Sequence, residues 1–378
     1  MEFITSALKN TTLPADLAGS ASSLYPSVNM ADLNILEQLW VRWYLYIGNP
    51  VLATGIMSFV LHEVVYFGRC LPLVIIDQIP YFRKWKLQPG KVPTAKQQWD
   101  CTKLVLLSHF TVELPQIWGF HPMAEYFGMS THSVPFPSWT TMAWQVAIFF
   151  VFEDTFHYFA HRWLHTPMLY KHIHKLHHEF SAPFGLAAEY AHPIEVLILG
   201  AGTVGGPLLF AVASQTILKS LGFDTTLHIF TVYVWVIFKL FQAVEAHSGY
   251  DFPWGPRHWI PFWSGAEHHD YHHMAFVNNY STSFRWWDHL LGTDDKYTAY
   301  RKRVAAAKAS ERAKVEAAEN VKTEAEGLAA EKALLARSGE SKPKNVRLGD
   351  EVASDGKESA PMNVLKVAAE QEEAKKSK

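Results

Sequence analysis

The sequence is poor in the residues that build cysteine-based sites. Its 378 residues include two cysteines, Cys70 and Cys101, and no CxxC pair. This argues against a disulfide framework, an iron–sulfur cluster and a cysteine-based zinc site. The net charge is −2 and no basic face stands out in the apolar part, which excludes nucleic acid as an expected partner. No basic segment leads into an apolar run at the N-terminus, so we expect no cleaved signal peptide.

Aromatic residues and histidines are absent from residues 301–378. That segment holds 17 Lys/Arg and 14 Asp/Glu, which is 31 of the 70 charged residues. The remainder is therefore far more apolar than the average composition, as in a membrane protein with a solvated appendage. We predict a tail over 299–378 that is helical first and disordered later. Lys375 and Lys376 resemble the dilysine retrieval signal of endoplasmic-reticulum membrane proteins, which requires a cytosolic C-terminus.

Long apolar runs predict an all-α, integral-membrane helical bundle with about four transmembrane helices. The runs cover 51–67, 71–80, 104–120, 139–152, 194–218 and 227–244. We interpret the runs 51–67 and 71–80 as a hairpin that enters and leaves the membrane, which would put Asp32 and Arg83 on the same side. The basic residues that follow the second run indicate that this side is the cytosol. The predicted domains are 1–48 with an interfacial helix, a membrane-embedded catalytic part over 49–298, and the tail.

Histidines are concentrated, with 15 of the 20 in the windows 157–192 and 247–289. One HxxxH motif and two HxxHH motifs occur in order, and residues three and four apart share a helix face. Eight imidazoles exceed the coordination sphere of one ion, so we predict two adjacent metals. The predicted ligands are His157, His161, His174, His177, His178, His269, His272 and His273.

Other groups near these motifs are candidates for supporting roles. His247 and His192 lie beside acids and are possible additional ligands, with His247 preferred. Ligating imidazoles commonly donate their second N–H to a carboxylate, so we predict that Asp154 and Asp270 orient the ligands. For Glu153, this role and that of a solvated polar residue are equally compatible with the sequence. His268 does not fit the HxxHH spacing of the other ligands. We predict that it contacts the metal ligands without binding metal itself, or that it is exposed.

The motifs HYFAH, HKLHH and HDYHH resemble the fatty-acid-hydroxylase superfamily of membrane di-iron oxygenases. The surrounding phrases EDTFHYFAHRWLH, AHSGYDFPW and HHDYHHMAFVNNY are most similar to the C-4 methylsterol oxidases. The resemblance implies a small transmembrane bundle with a cytosolic cap and a pair of non-haem irons. It also implies O2-dependent oxidation of the C-4 methyl group of 4,4-dimethyl and 4-methyl sterols to alcohol, aldehyde and carboxylate.

The resemblance also implies partners and a location. No dinucleotide fingerprint or haem attachment motif is present, so electrons from NAD(P)H would arrive through cytochrome b5 and its reductase. Expected partners are the sterol, the lipid bilayer and other enzymes of sterol C4-demethylation, in the endoplasmic reticulum membrane. Two alternatives remain open: a fatty-acid or sphingolipid hydroxylase with the same chemistry, and a histidine-rich membrane metal transporter.

Overall fold

The protein is all-helical, as the sequence predicts. A computed structural model describes residues 24–26 and 28–338, with the side chains of 330–338 excepted. Over these residues it contains no β-strand, only isolated bridges such as Lys86 with Tyr250 and Ser130 with His228. The main helices are α1 Ile35–Ile47, α2 Pro50–Gln78, α3 Ala95–Ser108, α4 Leu114–Tyr126, α5 Trp139–Leu164, α6 Pro193–Ala213, α7 Ile229–Ala246, α8 Gly265–Ala275, α9 Trp286–Leu290 and α10 Asp295–Ser338.

Short irregular helices connect several of these elements. Three five-residue π-helices occur, at His109–Glu113, Tyr170–His174 and Ser214–Leu218. Short 3-10 helices cover Met30–Asp32, Pro80–Trp85, His177–Glu179, Gly185–Glu189 and Pro256–His258. The π-helix that follows α3 joins it to α4, so the chain runs helically from Ala95 to Tyr126.

Local sequence explains where the long helices begin. Asn34 caps α1 and forms a reciprocal capping box with Glu37, and Gly48 ends that helix in the left-handed conformation at φ 69°. Asn49 caps α2, and Pro50 occupies its first turn, where a missing N–H costs nothing. Ser138 caps α5 in the same way.

The elements run between two ends of one bundle. At one end, the segment after α2 meets the segment after α7, where Leu87 N donates to Gly249 O at 2.9 Å. At the other end, the α4–α5 connection meets the start of α7, where Ser130 N donates to Leu227 O at 2.8 Å. The histidine motifs lie in the last turns of α5, in the segment that follows α5 and within α8, all at the first of these two ends, which we call the cap end.

In the part of the chain that the structure describes, three helices are long and apolar enough to cross a membrane: Pro50–Gln78, Pro193–Leu218 and Ile229–Ala246. The predicted count of four crossings is therefore not confirmed. The predicted hairpin over 51–80 is wrong, because α2 is one continuous helix of 29 residues that accommodates Pro72. At 1.5 Å per residue its ends are roughly 44 Å apart, so it connects the two ends of the bundle.

Glycines let α6 approach α5 closely. A Cβ atom on Gly202 would lie 2.4 Å from Phe156 Cδ1, and one on Gly206 would lie 2.8 Å from Phe152 Cδ1. The two phenylalanine rings therefore occupy the space that side chains on α6 would need. This packing fixes the position of α6 against α5, and therefore its position relative to the histidines at the end of α5.

The N-terminal helix is partly embedded in the core. Trp40 and Tyr44 of α1 are buried beside Trp235 of α7, whereas Leu36 and Tyr46 are exposed. One side of α1 therefore packs in the core while its other side is exposed, which fits both a core-packing helix and a helix at a membrane interface. Its predicted position at the membrane interface stays a prediction.

The chain divides into two compact units, Met1–Lys302 and Arg303–Lys378. The first part of the predicted tail is helical, as expected, because α10 continues to Ser338. The predicted disordered part of the tail, Lys375 and Lys376 of the dilysine pattern, and residues 1–23 lie outside the described residues. The domain boundaries proposed from sequence stay predictions.

Candidate metal centre

The cap end holds two clusters that consist only of histidines. In each, one ring nitrogen from every histidine lies within 4.8 Å of the corresponding nitrogens of the others. Cluster A contains five imidazoles: His161, His165, His174, His178 and His272. Cluster B contains four: His177, His247, His269 and His273.

Helical spacing explains how each HxxHH motif serves both clusters. In α8, the residues four apart, His269 and His273, belong to cluster B, while His272 points to cluster A. In the earlier motif the assignment is reversed, because His174 and His178 belong to cluster A and His177 to cluster B. Two motifs that each bridge the clusters hold the two sites side by side.

The Nε2 atoms of neighbouring imidazoles face one another at short range. The Nε2–Nε2 distance is 3.0 Å between His161 and His174 and 3.1 Å between His178 and His272. In cluster B it is 2.9 Å between His247 and His269. Two nitrogens about 2.1 Å from one metal and at right angles to each other are about 3.0 Å apart. The spacing therefore fits metal coordination.

Most of the Nδ1 atoms point away from the clusters toward acceptors. His161 Nδ1 donates to Tyr280 O at 2.7 Å, and His272 Nδ1 donates to Asn278 O at 2.6 Å. In cluster B, His177 Nδ1 donates to Tyr190 O at 3.1 Å. His247 and His273 likewise donate to the carbonyls of Ala243 and Phe180. Protonated Nδ1 atoms leave lone pairs on the facing Nε2 atoms, and a cation placed between these atoms would accept the lone pairs.

Burial keeps these imidazoles neutral. Loss of hydration lowers the pKa of all nine, and neighbouring histidines lower most of them further. The pKa of His178 falls to about 2 and that of His247 to about 3. Neutral imidazole is the form that binds metals, so the donor set is ready for cations at physiological pH.

A tight loop after α8 supplies two of the carbonyl acceptors. Phe276, Asn278 and Asn279 all have positive φ, at 61°, 71° and 56°, which turns the chain back over α8. Asp288 holds this loop by accepting hydrogen bonds from Tyr280 N at 2.9 Å and from Ser281 N at 2.8 Å. The buried Asp288 carboxylate thereby orients His161 and His272 through the loop, a role the sequence analysis missed.

Seven of the eight predicted ligands lie in the two clusters, and His157 does not. His157 Nδ1 lies 3.2 Å from Glu153 Oε1, and the residue lines a cavity instead. Its place is taken by His165, which the sequence analysis missed. The signal was present, because His161 and His165 in HRWLH form a second HxxxH one turn later. His247, predicted as an additional candidate, lies in cluster B.

The other candidates lie around the clusters without joining them. His192 caps α6 by accepting from Ile194 N. Asp154 accepts from Ser283 N and Phe284 N, and Asp270 accepts from Gln88 Nε2. His268 is fully buried rather than exposed, with its Nε2 3.5 Å from Asp288 Oδ2. An acid that sequence analysis overlooked does reach a cluster: Glu195 Oε1 lies 2.8 Å from His174 Nδ1.

An apolar cavity of about 600 Å³ adjoins both clusters. Its walls come mainly from α4, α6 and α7, with smaller parts from α2 and α5, and they include Leu199, Val204, Val232 and Leu240. His161, His174, His177, His247 and His269 form part of its lining. The size suits a small apolar ligand, and the clusters stand where its end would lie.

A third group of titratable residues, the His–Glu cluster, lines another part of this cavity. It contains His62, His109, Glu113 and Glu189, and Glu63 adjoins it. His109 lies between two carboxylates, with Nδ1 2.7 Å from Glu63 Oε1 and Nε2 2.8 Å from Glu189 Oε2. His62 Nε2 lies 3.2 Å from Glu189 Oε1 and 3.3 Å from Glu113 Oε2. The sequence analysis assigned no role to His62 or His109.

The chain resembles known proteins over most of its length. Residues 146–293 match the Fatty acid hydroxylase family. Methylsterol monooxygenase erg25B of Aspergillus fumigatus is 57% identical over 296 residues, which is 78% of this chain and 96% of that protein. C-4 methylsterol oxidase erg25 of Schizosaccharomyces pombe is 57% identical over 277 residues, 73% of this chain and 89% of that protein.

More distant relatives carry the same kind of name, and the resemblance stated from the histidine motifs is confirmed. Methylsterol monooxygenase 1 of Gallus gallus is 42% identical over 246 residues, 65% of this chain and 78% of that protein. No solved structure matches the chain. The chain therefore belongs to the methylsterol monooxygenase family of fatty acid hydroxylase-type oxidoreductases.

Proposed function

We propose that the chain oxidises the C-4 methyl group of 4,4-dimethyl and 4-methyl sterols with O2, through alcohol and aldehyde to carboxylate. The names of its relatives support the substrate class and the reaction type. The observation that carries the proposal is the pair of all-histidine clusters at an apolar cavity between membrane-capable helices. A sterol in this cavity would present a methyl group to the clusters.

We further propose that each cluster holds one iron. Imidazole suits iron as well as zinc, and the facing Nε2 atoms of both clusters support a cation in each. When bound, the two irons would supply the O2 chemistry needed to oxidise an unactivated methyl group, which side chains alone cannot provide. The five imidazoles of cluster A and the four of cluster B would serve as ligands. The chain itself would orient these rings through carbonyl acceptors and enclose the substrate in an apolar cavity.

The orientation in the membrane follows from the basic segment at the cap end. Arg83, Lys84 and Lys91 follow α2 directly, whereas Lys86 is buried against Asp77 at 2.9 Å. Basic residues beside a membrane span favour the cytosolic side. We propose that the cap end faces the cytosol at the endoplasmic reticulum, where cytochrome b5 and its reductase deliver electrons from NAD(P)H. The start of α2 then lies on the opposite side, and a cytosolic C-terminus is consistent with the tail following the cap.

Lipid analysis of cells depleted of this protein tests the substrate. We expect 4,4-dimethylsterols to accumulate, and re-expression of the chain to restore normal sterols. Re-expression of the His272→Ala variant is the matched control and should fail to restore them. Unchanged sterols together with loss of hydroxylated sphingolipids or fatty acids would contradict the proposal and favour the alternative hydroxylase.

Elemental analysis of the purified full chain tests the metals. We expect about two irons per chain, one for each cluster. One zinc and no iron would contradict the oxygenase assignment. Metal uptake into vesicles by the purified chain would instead support the transporter alternative.

A further inference from the structure

A charged side chain lies in the wall of the apolar cavity where none is needed to bind metal. Lys239 is in the middle of the membrane-capable helix α7 and is 8% exposed. An ionisable residue inside a membrane span is costly and commonly marks a functional site. Lys239 lines the cavity together with Glu153 and His157 of α5, Gln242 of α7 and Thr282. We call these five residues the polar patch.

The patch is a connected set of hydrogen-bonding groups. Lys239 Nζ lies 2.8 Å from Glu153 Oε1 and donates to Gln242 Oε1 at 2.9 Å. His157 Nδ1 lies 3.2 Å from the same Glu153 oxygen. Gln242 Nε2 donates to Thr282 O at 2.8 Å, which ties α7 to the loop that carries Thr282.

Two groups of the patch retain unused hydrogen-bonding capacity. Glu153 is 1% exposed, and its Oε2 atom has no hydrogen-bond partner within the described residues. The same holds for Oγ1 of Thr282, which is 6% exposed. Buried polar atoms without partners are costly and uncommon. Their presence in a cavity wall indicates that a ligand atom completes them.

The patch lies one helical turn from the histidine clusters. His157 and His161 are four residues apart on α5, and their ring centroids are 5.5 Å apart. The patch and cluster A are therefore separated by about 6 Å along the helix. A substrate that places an oxygen in the patch has the neighbouring carbon substituent beside the clusters.

We propose that the polar patch binds a hydroxyl group on the ring carbon next to the carbon that bears the oxidised methyl, which in a 4-methylsterol is the 3-hydroxyl. The hydroxyl donates to Glu153 Oε2 and accepts from Thr282 Oγ1, so both unpartnered atoms are satisfied. Lys239 keeps Glu153 ionised and in place as a positioning residue. This inference rests on the proposed function and names the group through which the substrate is oriented.

Turnover of paired substrates by the purified full chain in lipid nanodiscs tests the proposal. The substrates are a 4,4-dimethylsterol and its 3-deoxy analogue, which differ only in the hydroxyl. We expect kcat/KM for the hydroxylated sterol to be roughly 100-fold higher, because the analogue leaves buried polar groups unpaired. Equal kcat/KM for both would overturn the proposal while leaving the proposed function intact. Oxidation of neither sterol, with hydroxylation of fatty acyl chains, would overturn the proposed function itself.

Variants then assign the preference to the patch. Thr282→Val keeps the shape of the side chain and should lower the preference roughly 10-fold. The double variant Lys239→Met with Glu153→Gln removes both charges together, so neither is left unpaired, and should lower it further. Val232→Ala is the matched control elsewhere in the cavity, and should reduce kcat/KM for both sterols by a similar factor.

Binding to metal-free protein gives a readout that does not depend on activity. Metal-free wild-type chain should bind the hydroxylated sterol more tightly than the deoxy analogue, and Thr282→Val should lose most of that difference. If both variants keep the wild-type preference in turnover and in binding, the hydroxyl is recognised elsewhere and the proposal is overturned.

Discussion

The two histidine clusters and the His–Glu cluster line the same cavity and use the same side chain in opposite protonation states. In clusters A and B, imidazoles surround imidazoles and burial lowers their pKa. In the His–Glu cluster, burial alone would lower the pKa of His109, but hydrogen bonds to Glu189 and Glu63 outweigh it and raise that pKa to about 9. The neighbours, rather than burial, decide the charge of a histidine here.

The difference explains what each region requires. Neutral imidazoles whose Nε2 lone pairs face one another suit a bound cation, which is the donor set found in clusters A and B. A protonated His109 that donates to two carboxylates already has its partners. The His–Glu cluster is thus satisfied by protons, whereas the histidine clusters fit metal ions. Four predictions sharpen this comparison.

Removing one ligand that faces several others should have the largest effect. His272→Ala deletes a ring whose Nε2 lies 3.1 Å from both His165 and His178. We expect loss of metal from cluster A and a fall in sterol oxidation of at least 100-fold, measured by elemental analysis and turnover. His289→Ala, at an exposed histidine after α8, is the control and should keep both. Full metal content in His272→Ala would contradict the assignment.

Weakening the loop behind the ligands should have a smaller effect. Asp288→Asn replaces an acceptor oxygen by an amide that cannot accept from Tyr280 N and Ser281 N together. We expect metal affinity to fall about 10- to 100-fold, as for other groups that orient ligands. The measurement is metal competition with a chelator, with Asp294→Asn as the control. An unchanged affinity would show that the loop needs no carboxylate.

Removing the charged histidine of the other region should change stability and its pH dependence. The pKa of His109 is raised in the folded chain, so its stabilisation is present below pH 6.5 and is lost as the pH rises to about 9. We expect the free energy of unfolding to fall on the order of 2 kcal/mol over that range. His109→Gln should remove the part of this fall that His109 contributes, measured as Tm against pH in detergent.

The control for this experiment is a buried histidine with the opposite behaviour. Burial lowers the pKa of His121, which lies on α4 beside Glu125. His121→Gln should keep the wild-type loss of Tm between pH 6.5 and 9. Loss of the pH dependence in both variants would assign it to another group. The metal content of His109→Gln should equal that of the wild type.

Removing a buried histidine that belongs to neither region should have the smallest effect. Both ring nitrogens of His268 lack a hydrogen-bond partner within the described residues, and its ring packs against Tyr297. We expect His268→Ala to keep its full metal content and to lose about 1 kcal/mol of stability through lost packing. Elemental analysis and Tm measure the two quantities. A drop to half the metal would make His268 a ligand.

Helical periodicity made much of the candidate centre predictable. The all-helical fold and seven of the clustered histidines follow from apolar runs and from three- and four-residue spacings. The choice of His157 instead of His165 arose because two HxxxH pairs overlap at His161, and spacing alone cannot choose between them. The turn that ends α5 directs the His165 side chain toward cluster A. Because tertiary contacts determine the conformation of such a turn, the spacing of the histidines does not predict it.

Other features depend on contacts between distant segments. His109 meets Glu189 across 80 positions of the sequence, so the His–Glu cluster has no local signature. The continuous α2 helix was mistaken for a hairpin because Gly68 and Arg69 separate its two apolar runs, although the helix continues through both residues. Asp288 acts through backbone groups of a loop with positive φ, which no residue pattern in the sequence specifies.

Two helices that contribute many residues to the cavity walls, α6 and α7, can cross a membrane, and this determines which measure of substrate concentration applies. A sterol that enters between such helices never becomes a solute in water. Its effective concentration is its mole fraction among the surrounding lipids. The apparent KM should therefore stay constant when nanodisc and protein are diluted together, and should change when the sterol is diluted with phospholipid at fixed total concentration. The rate of this enzyme should therefore depend on the mole fraction of substrate in the membrane, as the rate of a soluble enzyme depends on the molar concentration of its substrate.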